Sequence, residues 1–182
     1  MPVVASVKLA LAGLTIIGLA LVLLYFIFLA CRKRFLQGFV KKNGLKLALL
    51  VAVAATAGSL FFSEVAHYEP CRLCWYQRTM MYPLALMFSI AVWKKTSDVF
   101  KYALALSVVG AVIAAYHYGL QVYAKLTPGF TDACSATSVS CAAAPSWTFG
   151  FVTIPLMSLA AFVMIALICI AAMRAKTPVR KE

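Results

Sequence analysis

Apolar residues in this chain come in long runs, and polar residues are confined mostly to the gaps between them. Five runs are long enough to cross a bilayer, which takes about 20 helical residues. They lie near 7–30, 46–65, 75–93, 102–121 and 150–173. None alternates apolar and polar positions with the period of a strand. Lipid offers no partner to an open strand edge, so such runs predict helices. The pattern therefore predicts an all-α membrane protein with five spans. The gap at 122–149 is the one sizeable segment outside the membrane. Pro128-Gly129, Pro145 and its Ser/Thr/Ala stretches mark it as a loop.

Composition agrees with this pattern. The chain is 64% hydrophobic and 12% charged over 182 residues, and the charged share is about half that of soluble domains. A soluble fold of this length cannot hide so much apolar surface. The net charge of +12 raises the possibility of nucleic-acid binding. However, no basic face interleaved with base-stacking aromatics exists, and the cations cluster at the ends of the apolar runs, where membrane topology places them.

Those cations set the expected orientation. The first connector carries Arg32, Lys33, Arg34, Lys41, Lys42 and Lys46, the third carries Lys94, Lys95 and Lys101, and the tail carries Arg174, Lys176, Arg180 and Lys181. Five alternating spans put all three segments on one side, which the positive-inside rule makes the cytoplasm. The N-terminus is then outside and the C-terminus cytoplasmic. Only Lys8, Arg72, Arg78 and Lys125 fall on the outer side. The first span reads as a retained helix and not as a cleaved leader. Its apolar region exceeds the roughly 7–15 residues of a signal core, and its basic cluster follows the run.

Topology gives the six cysteines different settings. Cys71, Cys74, Cys134 and Cys141 fall together on the outer side, where disulfides persist. Cys31 and Cys169 fall in or at the edge of spans and read as small apolar residues. Palmitoylation is an option for Cys31, beside its basic neighbours.

The chemistry concentrates in Glu69-Pro70-Cys71-Arg72-Leu73-Cys74-Trp75-Tyr76-Gln77-Arg78. Two cysteines separated by two residues suit thiol exchange. Pro70 favours the first turn of a helix, so the third span is expected to begin at this motif, with the helix dipole favouring a thiolate. Arg78 lies one turn after Cys74 on the same face. A guanidinium inside the membrane needs a partner, which a Cys74 thiolate or a ligand carbonyl supplies. Spacing alone also admits a metal half-site or a purely structural pair, with Arg78 snorkelling to the headgroups. Cys134 and Cys141 enclose a short polar loop. They are either a static staple or a second, exchangeable disulfide shown to a soluble partner. His117 is either a packing group or a hydrogen-bonding partner for an oxygen of a bound ligand. His67 and Glu64 read as interfacial loop residues. Trp75, Tyr76, Tyr118, Tyr123 and Trp147 read as an aromatic belt, and Pro83 and Pro155 as helix kinks or starts.

The stretches GSLFFSEV, EPCRLCWYQRTMMYPL, AAYHYGLQ and GFVTIPLMSLAAF, with the Cys134/Cys141 loop between them, resemble the disulfide bond formation protein B (DsbB) family, especially its Gram-positive BdbC-like branch. The likeness runs from about 58 to 173 and implies a four-helix membrane bundle. It divides the chain into an extra N-terminal transmembrane helix with a basic cytoplasmic loop, 1–45, and a four-helix thiol oxidoreductase unit, 46–182. It further implies a quinone-dependent protein-disulfide oxidoreductase in the bacterial cell membrane. Cys71 and Cys74 match the quinone-facing pair, with Cys74 acting on the quinone. Arg78 matches the arginine that holds the quinone. His117 matches, more weakly, a histidine near it. Cys134 matches the cysteine that meets the oxidase, and Cys141 its mate. The implied cofactor is a quinone, menaquinone by the branch likeness, with ubiquinone the alternative. The implied partner is a thioredoxin-like thiol oxidase of the DsbA/BdbD type. Gln77 stands where some members have glutamate, and no consequence follows from the sequence. Two other functions stay open: a reductive conduit across the membrane and a cysteine-rich metal-binding membrane protein.

Overall fold

The computed structural model describes residues 2–30, 35–127, 129–130, 139–143 and 147–176. It contains helices α1 (Pro2–Ala30), α2 (Phe35–Leu60), α3 (Arg72–Lys94), α4 (Val99–Leu126) and α5 (Ile154–Lys176). A π-helical turn, Phe61–Val65, continues the end of α2. The described residues contain no named strand, only an isolated antiparallel bridge between Thr148 and Val152.

Four of the helices are long and apolar enough to cross a membrane: Val3–Ala20, Asn43–Val65, Val99–Leu126 and Ile154–Arg174. The exception is α3, whose first two turns carry Arg72, Gln77, Arg78 and Thr79. Its length and its place between α2 and α4 make it the fifth span. Helices α2, α3, α4 and α5 form a closed ring in which each packs on the next, and α5 returns to α2. α1 lies outside the ring, mainly against α5 and partly against α2. The expected architecture, four helices plus one, is the observed one.

Several boundaries differ from those expected. α2 begins at Phe35, so most of the basic connector is helical. Lysine is a good helix former, so a helix can leave the apolar layer without ending. α4 runs to Leu126 and α5 starts at Ile154, which trims the expected loop at both ends. Glu64 lies in the π turn and not in a loop. Pro155 falls in the first turn of α5, and Pro83 lies inside α3.

The ring closes around Leu84, Phe88, Phe162 and Ile165, with Ala48, Ala52, Ala103 and Ala114 between them. Lipid tails are as apolar as leucine, so close packing, and not water exclusion, holds such helices together. Small residues permit it. Cys169 is fully buried in this core, in line with its reading as a small apolar residue. Cys31 lies outside the described residues.

Gly110 marks the tightest approach, because a Cβ there would run into the ring of Phe162. Gly110→Ala should destabilise the bundle by about 1–3 kcal/mol, the usual cost of overpacking. Adding Phe162→Leu should recover part of that loss in thermal unfolding in micelles. Equal stability of Gly110→Ala and the parent protein would contradict this packing.

Candidate active site

The site starts from how α3 begins. Cys71 is its N-cap, with extended backbone at φ −68°, ψ 171°. Its carbonyl accepts the first helical bond, from Trp75 N at 3.2 Å. Pro70 therefore stands just before the cap and not at the first helical position. One helical turn brings the two thiols together, with Cys71 Sγ donating to Cys74 Sγ at 3.3 Å. Cys71 is buried and Cys74 is partly exposed. That hydrogen bond, with burial, pushes the Cys71 thiol up to about 12 against a weaker opposing pull from His117. The proton of the pair stays on Cys71, and Cys74 is the partly exposed residue of the two.

His117, on α4, is 1% exposed. Its Nε2 lies 3.0 Å from the Cys141 carbonyl oxygen. A carbonyl can only accept, so Nε2 carries the hydrogen and Nδ1 is bare. Gln77 Nε2 lies 2.9 Å from that bare Nδ1 and donates to it. Gln77 Oε1 in turn accepts from the Ser158 hydroxyl at 2.6 Å. α5, α3, α4 and the loop are thus joined through one imidazole, and its tautomer is set by its partners. Cys71 Sγ lies 3.6 Å from the same Nε2. Cys141 is fully buried, and it is near enough to interact electrostatically with Cys74.

Arg78 is 9% exposed. Its Nε donates to Ser59 Oγ and its Nη2 to the Ser59 carbonyl, both at 3.0 Å. Its guanidinium stacks 5.1 Å from the Trp75 ring centroid. The hydrogen-bond partner of Arg78 is therefore α2, just before the π turn, while its charge is near enough to act electrostatically on Cys74. Two of its five N–H donors are used, which leaves three without a protein acceptor among the described residues. Arg78 lines an apolar cavity of about 1010 Å³ together with Cys71, Cys74, Gln77 and His117. Tyr82 lines it one turn further down, and its hydroxyl has no partner among the described residues.

The structure brings Cys71, Cys74, Cys141, Arg78 and His117 together. Cys134 lies outside the described residues. His67 and Glu69 also line the cavity, while Glu64 accepts a hydrogen bond from its neighbour Ser63. Part of the aromatic belt has a second use. Tyr118 bonds the Phe151 carbonyl at 3.1 Å, and Lys125 sits 4.2 Å over Trp147 while bonding the Gly150 carbonyl. These contacts fix the chain where it re-enters α5. Sequence reasoning missed Ser59, Ser158 and the weight of Gln77. A signal was available for Gln77, which is an uncharged polar residue one turn from Cys74 in a span.

Cys71, Cys74 and His117 also offer three ligand atoms within 4.8 Å of one another. Both ring nitrogens of His117 are already engaged, so a cation could gain this donor only by breaking a buried hydrogen bond.

The comparisons follow the same residues. The family model described as disulfide bond formation protein DsbB matches residues 41–172. A probable disulfide formation protein of Metapseudomonas resinovorans is 42% identical over 75% of this chain and 93% of its own. A probable disulfide formation protein C of Halalkalibacterium halodurans is 44% identical over 70% and 90%. Disulfide bond formation protein C of Bacillus subtilis is 43% identical over 64% and 82%. No solved structure matches. From its bundle, its cysteine cluster and these relatives, the chain belongs to the disulfide bond formation protein DsbB family and is a multi-pass membrane protein with a role in disulfide bond formation.

Proposed function

We propose that this protein reoxidises an extracytoplasmic thioredoxin-like thiol oxidase, DsbA/BdbD-like in kind, and delivers the electron pair to a membrane quinone. One observation carries the reading. Cys71, Cys74, Arg78 and a histidine whose tautomer is set by its partners line one apolar cavity, with Cys141 within electrostatic reach of Cys74. The clustering of cations on the first and third connectors and the tail supports an outward-facing redox end.

The residues present suit a quinone. The cavity is apolar over most of its lining, and Arg78 keeps donors available where a carbonyl oxygen can meet them. Menaquinone is the form favoured by the resemblance to the BdbC-like branch. A bound quinone supplies a sink for two electrons and two protons. Everything else is done by the chain.

A partner thiolate attacks Cys134 of a Cys134–Cys141 disulfide, and Cys141 leaves as thiolate. The second partner thiol then attacks the mixed disulfide, which releases the oxidised partner and leaves two reduced loop cysteines. Cys141 attacks a Cys71–Cys74 disulfide, one sulfur of that pair leaves, and Cys134 closes back onto Cys141. The loop pair is oxidised again, and the helix pair is now a dithiol. The His117 Nε2–H, bonded to the Cys141 carbonyl, lies within 3.6 Å of Cys71 Sγ, where its partial positive charge steadies that sulfur as it changes state. Cys74, the less buried of the two, lines the cavity. When Cys71 and Cys74 close again, two electrons and two protons leave the pair.

Thiol counting on the purified protein tests this directly. The expected result is two disulfides, with one converted to two thiols by the reduced partner and restored by quinone. Four thiols protected by bound metal would favour the metal-site reading instead. Arg78→Ala should keep both disulfides and weaken quinone binding by roughly 10–100-fold, as expected for losing a charged hydrogen bond worth about 1.5–3 kcal/mol. Unchanged quinone affinity would remove Arg78 from this role. In the reduced protein at pH 8, iodoacetamide should modify Cys74 well before Cys71, whose thiol holds its proton up to about 12. Peptide mass spectrometry reads the order, and faster labelling of Cys71 would reverse the assignment within the pair.

A further inference from the structure

The cavity does not end at the cysteines. It runs between α2 and α5 to Leu47, Leu50 and Ala171. On α5 alone its lining extends from Ile154 to Ala171, roughly 25 Å at the rise of an α-helix. A quinone ring does not need such length.

α1 forms one side of this space. Leu11, Leu14, Thr15, Ile17, Gly18 and Val22 all line it, and none is charged. Thr15 is 7% exposed, and its hydroxyl bonds back to the Leu11 carbonyl, so it presents no free donor. The opposing walls are lined in part by small residues, Ala54, Ala55 and Gly58 on α2 and Ala160 and Ala161 on α5. Their size leaves the room that larger side chains would fill. α1 is held close at two points. A Cβ at Gly18 would come 2.8 Å from Met164 Sδ, and one at Gly58 would come 3.2 Å from Leu11 Cδ1.

We infer that α1 walls in a binding channel for the prenyl tail of the quinone, turning the seam between α2 and α5 into a channel that leads to Arg78 and Cys74. The inference rests on the quinone reading above and goes beyond it by giving the helix outside the four-helix ring a ligand. The chemistry along the channel selects the occupant. The charged groups of the lining, Glu69 and Arg78, lie in or beside the cysteine motif, and the stretch towards Leu47, Leu50 and Ala171 is mostly hydrocarbon, which fits a polar head on a long apolar chain. A phospholipid acyl chain shares the tail chemistry but brings an anionic phosphate head and no redox group.

The direct test uses the unmodified protein in lipid. A menaquinone analogue with a photoreactive group at the end of its prenyl chain should crosslink to peptides of α1, α2 and α5. In parallel, quinone retained through detergent purification is extracted and counted. Thr15→Phe should lower retention of long-tailed quinone by about tenfold, the loss expected from displacing roughly two buried methylene groups. Ile16→Phe, on the same helix but off the channel, should leave it unchanged. Binding of a tail-less quinone should be the same in all three proteins. Crosslinks that avoid α1, or full retention in Thr15→Phe, would overturn the channel. Retention of phospholipid in place of quinone would overturn its occupant. Failure of the parent protein to bind even the tail-less quinone would remove the underlying reading, and this one with it.

Discussion

Polar side chains buried at one end of an apolar bundle must find partners, and that constraint organises this protein. An unsatisfied buried donor or acceptor costs about 1–3 kcal/mol, and lipid offers no water to relieve it. Gln77, His117 and Arg78 are all buried, and their partners come from every helix of the ring. Ser158 of α5 bonds Gln77 of α3, Gln77 bonds His117 of α4, and Arg78 of α3 bonds Ser59 of α2. The same groups that hold the helix ends in register also hold the sulfurs. Here the site is part of what specifies the packing.

This coupling has a consequence for chemistry. Thiol exchange needs sulfurs that can meet repeatedly in one geometry. The Cys71 pair is fixed by the helix cap, and Cys141 by its carbonyl bond to His117. The return into α5 is pinned by the Thr148–Val152 bridge and by the contacts of Tyr118 and Lys125. Phe149 and Gly150 turn that corner with positive φ, 53° and 79°. Such a backbone is unusual for a bulky aromatic residue, and it persists because both sides of the corner are tied down. Beyond the sulfurs the environment changes abruptly from hydrogen-bonded to hydrocarbon, with Arg78 at the border.

Much of this was legible in the sequence, for identifiable reasons. Long apolar runs can only be spans, so the number of helices followed from their count. The spacing of Cys71, Cys74 and Arg78 follows helix geometry, so their shared face was readable. His117 could not be placed between packing and chemistry, because its role depends on Gln77, 40 residues earlier, and on a loop carbonyl. Ser59 looked like any small residue of a span until the π turn and Arg78 gave it two acceptor roles. Helix ends were least readable. Lys41, Lys42 and Lys46 signal where lipid stops, not where the helix stops, so α2 begins well before them. The cavity was also hidden, since alanine and glycine in a span read the same whether they allow close packing or leave a space.

The central claim is that the loop cysteine and the helix-cap pair are close enough to exchange. A variant carrying Cys71→Ser and Cys134→Ser retains Cys74 and Cys141 as the sulfurs of the site. Mild oxidation followed by non-reducing peptide mapping should find them joined to each other in most molecules. If Cys74 and Cys141 both stay as thiols while the protein remains folded, the electron path described here does not exist.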